Sequence, residues 1–87
     1  MMTIKKVVDY KKGAPQQPKK YWMGHIGPTD DFGQRIDDTF YDGATRMGPW
    51  AIMTPSSWRT YGVGQVGTGF AQKYEKQADG KWLKVEG

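Results

Sequence analysis

The stretch TFYDGATRMGPWAIMTPSSWRTYGVGQVGTG, residues 39–69, decides how this 87-residue chain is read, because it holds two of the four tryptophans and half of the glycines. Asp42-Gly43 lies between Thr39-Phe40-Tyr41 and Ala44-Thr45-Arg46, and Asp-Gly suits a type I′ turn, whose two central residues take positive φ. That predicts a hairpin with Tyr41 opposite Ala44 and Thr39 opposite Arg46, leaving Asp37 and Asp38 near Arg46 for charge pairing. Gly48-Pro49 then bends the returning strand, which resumes over residues 50–53. Thr54-Pro55 reads as an N-cap followed by a proline at the first helical position, so residues 56–61 are expected to form a short helix stopped by Gly62. Such a helix depends on tertiary contacts through Trp58 and Tyr61.

Toward the C-terminus a second hairpin is expected. With Asp79-Gly80 as a two-residue turn, Gln77 faces Trp82, Tyr74 faces Val85, Glu75 faces Lys84 and Lys73 faces Glu86, so two opposite-charge pairs fall into register. Toward the N-terminus, residues 3–10 have the β-branched content of one strand. Residues 11–20, KKGAPQQPKK, cannot continue it, because Pro15 and Pro18 remove donors and favour extended backbone. Tyr21-Trp22-Met23 is apolar and is expected to dock this arm, and residues 24–33 read as loop. The organisation is a basic extended arm over residues 1–23 and a small β-rich domain over residues 24–87. The fold class is mainly β, built of antiparallel hairpins with one short helix.

A chain of this size buries only about 60% of the surface its unfolded form exposes. It has no cysteine, so disulfides and thiolate zinc ligands are excluded, and four Trp, five Tyr and three Phe must carry the core. Residues 1–23 carry six lysines against Asp9, a local +5, whereas residues 24–45 carry Arg35 against Asp30, Asp31, Asp37, Asp38 and Asp42, a local −4. Lys5, Lys6, Lys11, Lys12, Lys19 and Lys20 with Tyr21 and Trp22 suit an acidic partner, either nucleic acid or an acidic protein surface. Solvated lysines that keep a terminus soluble are the plain alternative. No apolar run near the start reaches the length of a signal-peptide core or a membrane span, so secretion by that route and a membrane partner are not expected.

Gly62, Gly64 and Gly67 match G-x-G-x-x-G in form, but the residues that follow read as a hairpin and not as the long helix and parallel sheet a dinucleotide fold requires. They are read as loop glycines. His25 with Asp30 and Asp31 is the one combination with acid–base potential, and no nucleophile or third ligand accompanies it. No catalytic residue, metal or cofactor is assigned.

Through DTFYDGATRMGPWAIM, YGVGQVGTG and QKYEKQADGKWLKVEG, residues 38–53, 61–69 and 72–87, the chain resembles a family of small bacteriophage proteins in which a zinc ribbon is followed by a glycine-rich loop and a closing hairpin. The resemblance implies a zinc-ribbon-like fold and phage origin, with a place in the virion or the host cytoplasm, and no activity. It also implies that Thr29 and Phe32, then Thr54 and Ser57, stand where that family carries its two Cys-x-x-Cys pairs. A structural zinc contributes on the order of 10 kcal/mol of apparent binding free energy to such a domain, so other contacts must replace it. Phe32 and Trp58 are expected to fill the emptied space. The functional expectation is a non-enzymatic phage structural or interaction protein docking on a larger phage or host protein assembly, with Trp50 and Trp58 joining Tyr21, Trp22 and the arm lysines at the interface. A nucleic-acid-binding module and an inhibitor of a host protein are the rival readings.

Overall fold

A computed structural model describes residues 19–87. The strand expected over residues 3–10, most of the proline-containing segment, and Lys5, Lys6, Lys11 and Lys12 lie outside the described residues. The protein is mainly antiparallel β with a single short helix. Strands β1 (Thr39–Ala44), β2 (Trp50–Met53), β3 (Ala71–Lys76) and β4 (Trp82–Glu86) form one sheet in the order β2-β1-β3-β4, and helix α1 (Pro55–Tyr61) follows β2.

The first hairpin forms, but not at Asp42-Gly43. Those two residues sit inside β1, which pairs with β2 in the register Tyr41↔Met53, Asp42↔Ile52, Gly43↔Ala51 and Ala44↔Trp50. The chain reverses four residues later. Thr45 N–H donates to Pro49 O at 2.9 Å, Gly48 N–H donates to Thr45 O at 2.9 Å, and Gly48 takes the left-handed φ of 112°. The local preference of Asp-Gly for a turn loses to a cross-strand requirement. A Cβ on Gly43 would collide with the Cβ of Ala71 on β3, so glycine is needed here for close strand approach, not for positive φ. Arg46 is therefore not opposite Thr39. Its Nε donates to Gly62 O at 3.0 Å, while Asp37 forms an exposed pair with Arg35 at 3.5 Å.

The second hairpin is where the sequence placed it, with a longer loop. Gln77 N–H donates to Lys81 O at 2.7 Å, so Ala78, Asp79 and Gly80 form a three-residue loop in which Gly80 has φ 89°. The extra residue shifts the pairing to Lys76↔Trp82, Glu75↔Leu83 and Tyr74↔Lys84, and an irregularity at Lys73/Tyr74 restores Lys73↔Glu86. Val85 is the surplus residue on β4, as expected of a bulge. Of the expected pairs only Lys73 with Glu86 is kept. Glu75 has Lys73 of its own strand at 4.0 Å in place of Lys84.

The two sides of the sheet carry separate small cores. On one side Phe40 is fully buried and stacks on Tyr74 with ring centroids 5.0 Å apart. Trp22 meets both rings edge-on at 5.4 and 5.5 Å, and Trp82 meets Phe40 at 5.0 Å. Trp22 reaches this position because residues 20–22 run beside β4: Lys84 N–H donates to Lys20 O at 2.8 Å and Trp22 N–H to Trp82 O at 2.9 Å. On the other side α1 packs against β1 and β2, with Trp58 stacked on Tyr41 at 4.6 Å and 4°, and Met53 and Ala71 are fully buried. Offset and edge-on aromatic pairs each add about 0.5–1.5 kcal/mol beyond the area they bury, which suits a core with few aliphatic residues.

Candidate interaction surface

The helix begins as the sequence predicts. Thr54 is the N-cap, its side chain accepting from Ser57 N–H at 3.2 Å, and Pro55 opens the first turn. Gly62 ends the helix with extended φ and ψ of −74° and 160°, its N–H donating to Trp58 O at 2.9 Å; a Cβ there would strike the Trp58 ring.

This cap is one half of a buried polar knot. Asp30 Oδ1 accepts from Phe32 N–H at 2.9 Å and Gln34 N–H at 2.8 Å, and Oδ2 accepts from Thr54 N–H at 2.8 Å and Thr54 Oγ1 at 3.0 Å. Ser57 Oγ lies 3.3 Å from Thr54 Oγ1. Asp30 is 5% exposed and Ser57 2%. Burial pushes the Asp30 carboxyl upward, but the nearby Ser57 hydroxyl and the hydrogen bonds from the Thr54, Gln34 and Phe32 N–H groups outweigh it and hold the carboxyl below its ordinary value. The knot ties the turn at residues 30–34 to the start of α1 across 24 residues of sequence. Asp31 extends the tie: its N–H donates to Ile52 O at 3.0 Å and its Oδ2 accepts from Ile52 N–H at 2.7 Å, closing the open edge of β2 at that residue.

Thr54 and Ser57, two of the four positions singled out by the resemblance, are thus brought together. Asp30, and not its neighbour Thr29, faces them; Thr29 is bridged to Arg35. Phe32 stacks on Tyr61 at 4.1 Å and 9°, and Trp58 on Tyr41 at 4.6 Å and 4°. Asp30 carried a legible signal that composition alone missed, since an aspartate before a Gly-containing turn is a side-chain cap for that turn. With Asp30 and Asp31 committed to backbone donors, His25 lies elsewhere, on a cleft it shares with Asp37, Lys76 and Trp82. Among the described residues no three His, Cys, Asp or Glu side chains are grouped to hold a metal ion, and no helix is long and apolar enough to cross a membrane. Gly62, Gly64 and Gly67 lie in the loop between α1 and β3, with Gly64 and Gly67 at positive φ.

The residues proposed for partner contact divide into two groups. Trp22 and Trp58 are half-buried in intramolecular stacks. Trp50 is 47% exposed, Tyr21 is partly exposed beneath the Lys81 ammonium, which lies 5.6 Å from its ring, and Lys19 and Lys20 are exposed. Sequence reasoning did not single out the residues that join Trp50. Ala44 stands opposite Trp50 and its N–H donates to Phe70 O at 2.8 Å, while Val63 N–H donates to Ala44 O at 3.1 Å and Met47 occupies the adjoining turn. Met47, Trp50, Val63 and Phe70 are all exposed. Residues 43–72 carry no charged side chain except Arg46 and Arg59, so this end of the molecule is poor in charge, with exposed Arg46 beside Met47 as its one nearby cation among the described residues.

Compared with family models, with curated proteins and with solved structures, the chain has no match.

Proposed function

We propose that this chain is a non-enzymatic interaction protein that docks through its β body on a larger protein assembly, as a decoration or cement-type component of a bacteriophage virion. The lysine-rich residues 1–23 then reach across a neighbouring acidic surface. The observation that carries the docking is the charge-poor end of the sheet, where Met47, Trp50, Val63 and Phe70 are exposed around Ala44. Exposed apolar clusters on small soluble domains mark contact sites, and aromatic side chains supply most interface hot spots. The virion setting rests on the resemblance of residues 38–53, 61–69 and 72–87 to small phage proteins. The lysine pairs add reach and charge complementarity, which act more on the rate and register of association than on its strength.

The test is co-sedimentation of the purified chain with virions of the phage that encodes it. Wild-type protein is expected in the particle fraction, and Trp50→Ala is expected to weaken its retention by roughly tenfold or more, the scale of a hot-spot truncation. Protein that stays in the supernatant, or a Trp50→Ala variant retained like wild type, overturns the reading. A gel shift on DNA or RNA that weakens steeply with salt assigns the lysines to phosphates instead.

A further inference from the structure

Asp42 differs from every other carboxylate in the described sheet. It is half-buried at the centre of β1, between Ile52 on β2 and Gln72 on β3, and among the described residues it has no hydrogen-bond or ion-pair partner. Strand alternation fixes which side it faces. Phe40, two residues before it, faces the Trp22–Tyr74–Trp82 cluster, so Asp42 and Ala44 face the same side, as do Trp50 and Ile52 opposite them and Gln72. Ala71 is buried on the helix side, and Phe70, in the turn just before it, is exposed beside Ala44, whose N–H donates to Phe70 O at 2.8 Å. The register Phe40↔Tyr74 sets Tyr74 on the same side as Asp42; desolvation raises the Asp42 carboxyl above its ordinary value, and burial and the Asp42 charge raise the Tyr74 hydroxyl.

Among the described residues this side is therefore half covered. Trp22 and Trp82 lie over Phe40 and Tyr74. The other half presents Trp50 and Phe70 flanking the short side chain of Ala44, with Asp42 in the next row. The lysines on this side are held away from it: Lys76 lies 5.9 Å from the Trp82 ring and Lys84 Nζ donates to Gly87 O at 3.3 Å.

We propose that this open half of the sheet is the docking face and that its occupant is a protein segment bearing a lysine or arginine side chain, placed on Asp42 between Trp50 and Phe70. Charge complementarity selects that occupant. A purely apolar partner would complete the burial of an ionised carboxylate with nothing to pair it, which is strongly unfavourable, and a phosphate backbone would be repelled. A cation on a flexible apolar stem meets both demands, because the stem covers the rings while the charge is attracted both to the carboxylate and to the ring faces. The inference rests on the docking reading and adds the chemistry of the partner.

The probes are N-acetyl-lysine amide and N-acetyl-arginine amide, titrated at low salt into the 87-residue protein and followed by two-dimensional NMR, with N-acetyl-norleucine amide as the uncharged counterpart. Saturable shifts are expected at the Trp50 indole N–H and the Ala44 and Gln72 amides. The norleucine probe is expected to bind at least about fivefold more weakly, which corresponds to roughly 1 kcal/mol. Asp42→Asn should abolish this preference while leaving the rest of the spectrum in place, and Phe70→Ala should weaken all three probes. Equal binding of lysine and norleucine probes, shifts that map to Asp37 and Asp38, or an Asp42→Asn variant that still prefers the cation each overturn the proposal. So does the absence of saturable shifts. Virion co-sedimentation separates the two readings: capture that needs Trp50 but is indifferent to Asp42→Asn removes this inference and keeps the docking, whereas cation binding without capture does the reverse.

Discussion

Asp30 and Asp42 are twelve positions apart in the same acidic segment, yet the fold treats them in opposite ways. Asp30 receives four hydrogen bonds at 2.8 to 3.0 Å from the turn that follows it and from the cap of α1. Asp42 receives none from the described residues and lies in mid-strand with desolvation unopposed. The first carboxyl is held below its ordinary value and the second is pushed above it. Burial acts on both, and the supply of aligned donors decides the sign. The difference also separates roles: a fully satisfied buried charge organises the fold, whereas an unsatisfied half-buried one is available to something outside it.

Removing Asp30 should produce the largest effect. Asp30→Ala leaves three N–H groups and the Thr54 hydroxyl without their acceptor and is expected to lower unfolding stability by about 3 kcal/mol or more, read from the urea midpoint. A loss under about 1 kcal/mol would show that the knot does not hold the 30–34 turn to the helix. Thr54→Ala removes both the helix cap and one of the donors to Asp30, and should cost about 1–2 kcal/mol.

Acid titration separates the two carboxyls by sign. Because Asp30 has a depressed folded value, its contribution is present above its unfolded value and is lost as pH falls through the folded one. Asp42 has a raised folded value, so its ionisation costs stability above that value, and the cost disappears as pH falls through the folded value toward the unfolded one. Differences in urea midpoint between wild type and each single variant, measured across the acid range, should therefore run in opposite directions. Parallel curves would contradict the contrast. The smallest effect belongs to Asp42→Asn at neutral pH, a gain of about 0.5 kcal/mol in the free protein, because an unpaired charge is removed and no bond is broken. If Asp42→Asn instead destabilises, Asp42 has a partner within the chain and the comparison fails.

Much of this was legible in residues. Thr54-Pro55 announced the helix start, Asp79-Gly80 the closing hairpin, and the aromatic count the nature of the core. The failures share one cause. At Asp42-Gly43 the turn that the local residues predict does not form, and the close approach of Ala71 from a strand nearly thirty residues away determines what Gly43 is for. In the second hairpin a three-residue loop moved the intermediate pairs by one position, and the bulge at Val85 then recovered Lys73↔Glu86, so charge complementarity alone could not set the intermediate register. Of the candidate interface, Trp50 was visible as an aromatic in a charge-poor stretch. Phe70 and the exposure of the half-sheet were not, since which tryptophans stack internally depends on contacts between distant segments.

The sequence by itself determined the fold class, the helix cap and the polarity of the chain, because turn chemistry, capping and charge act over a few residues. Only the tertiary structure decided that Asp30 would become a satisfied structural anion and that Asp42 would have no partner among the described residues. Both begin as aspartates in the same acidic run; Asp30 draws two donors from its own turn, and Thr54, 24 residues away, arrives to supply the other two.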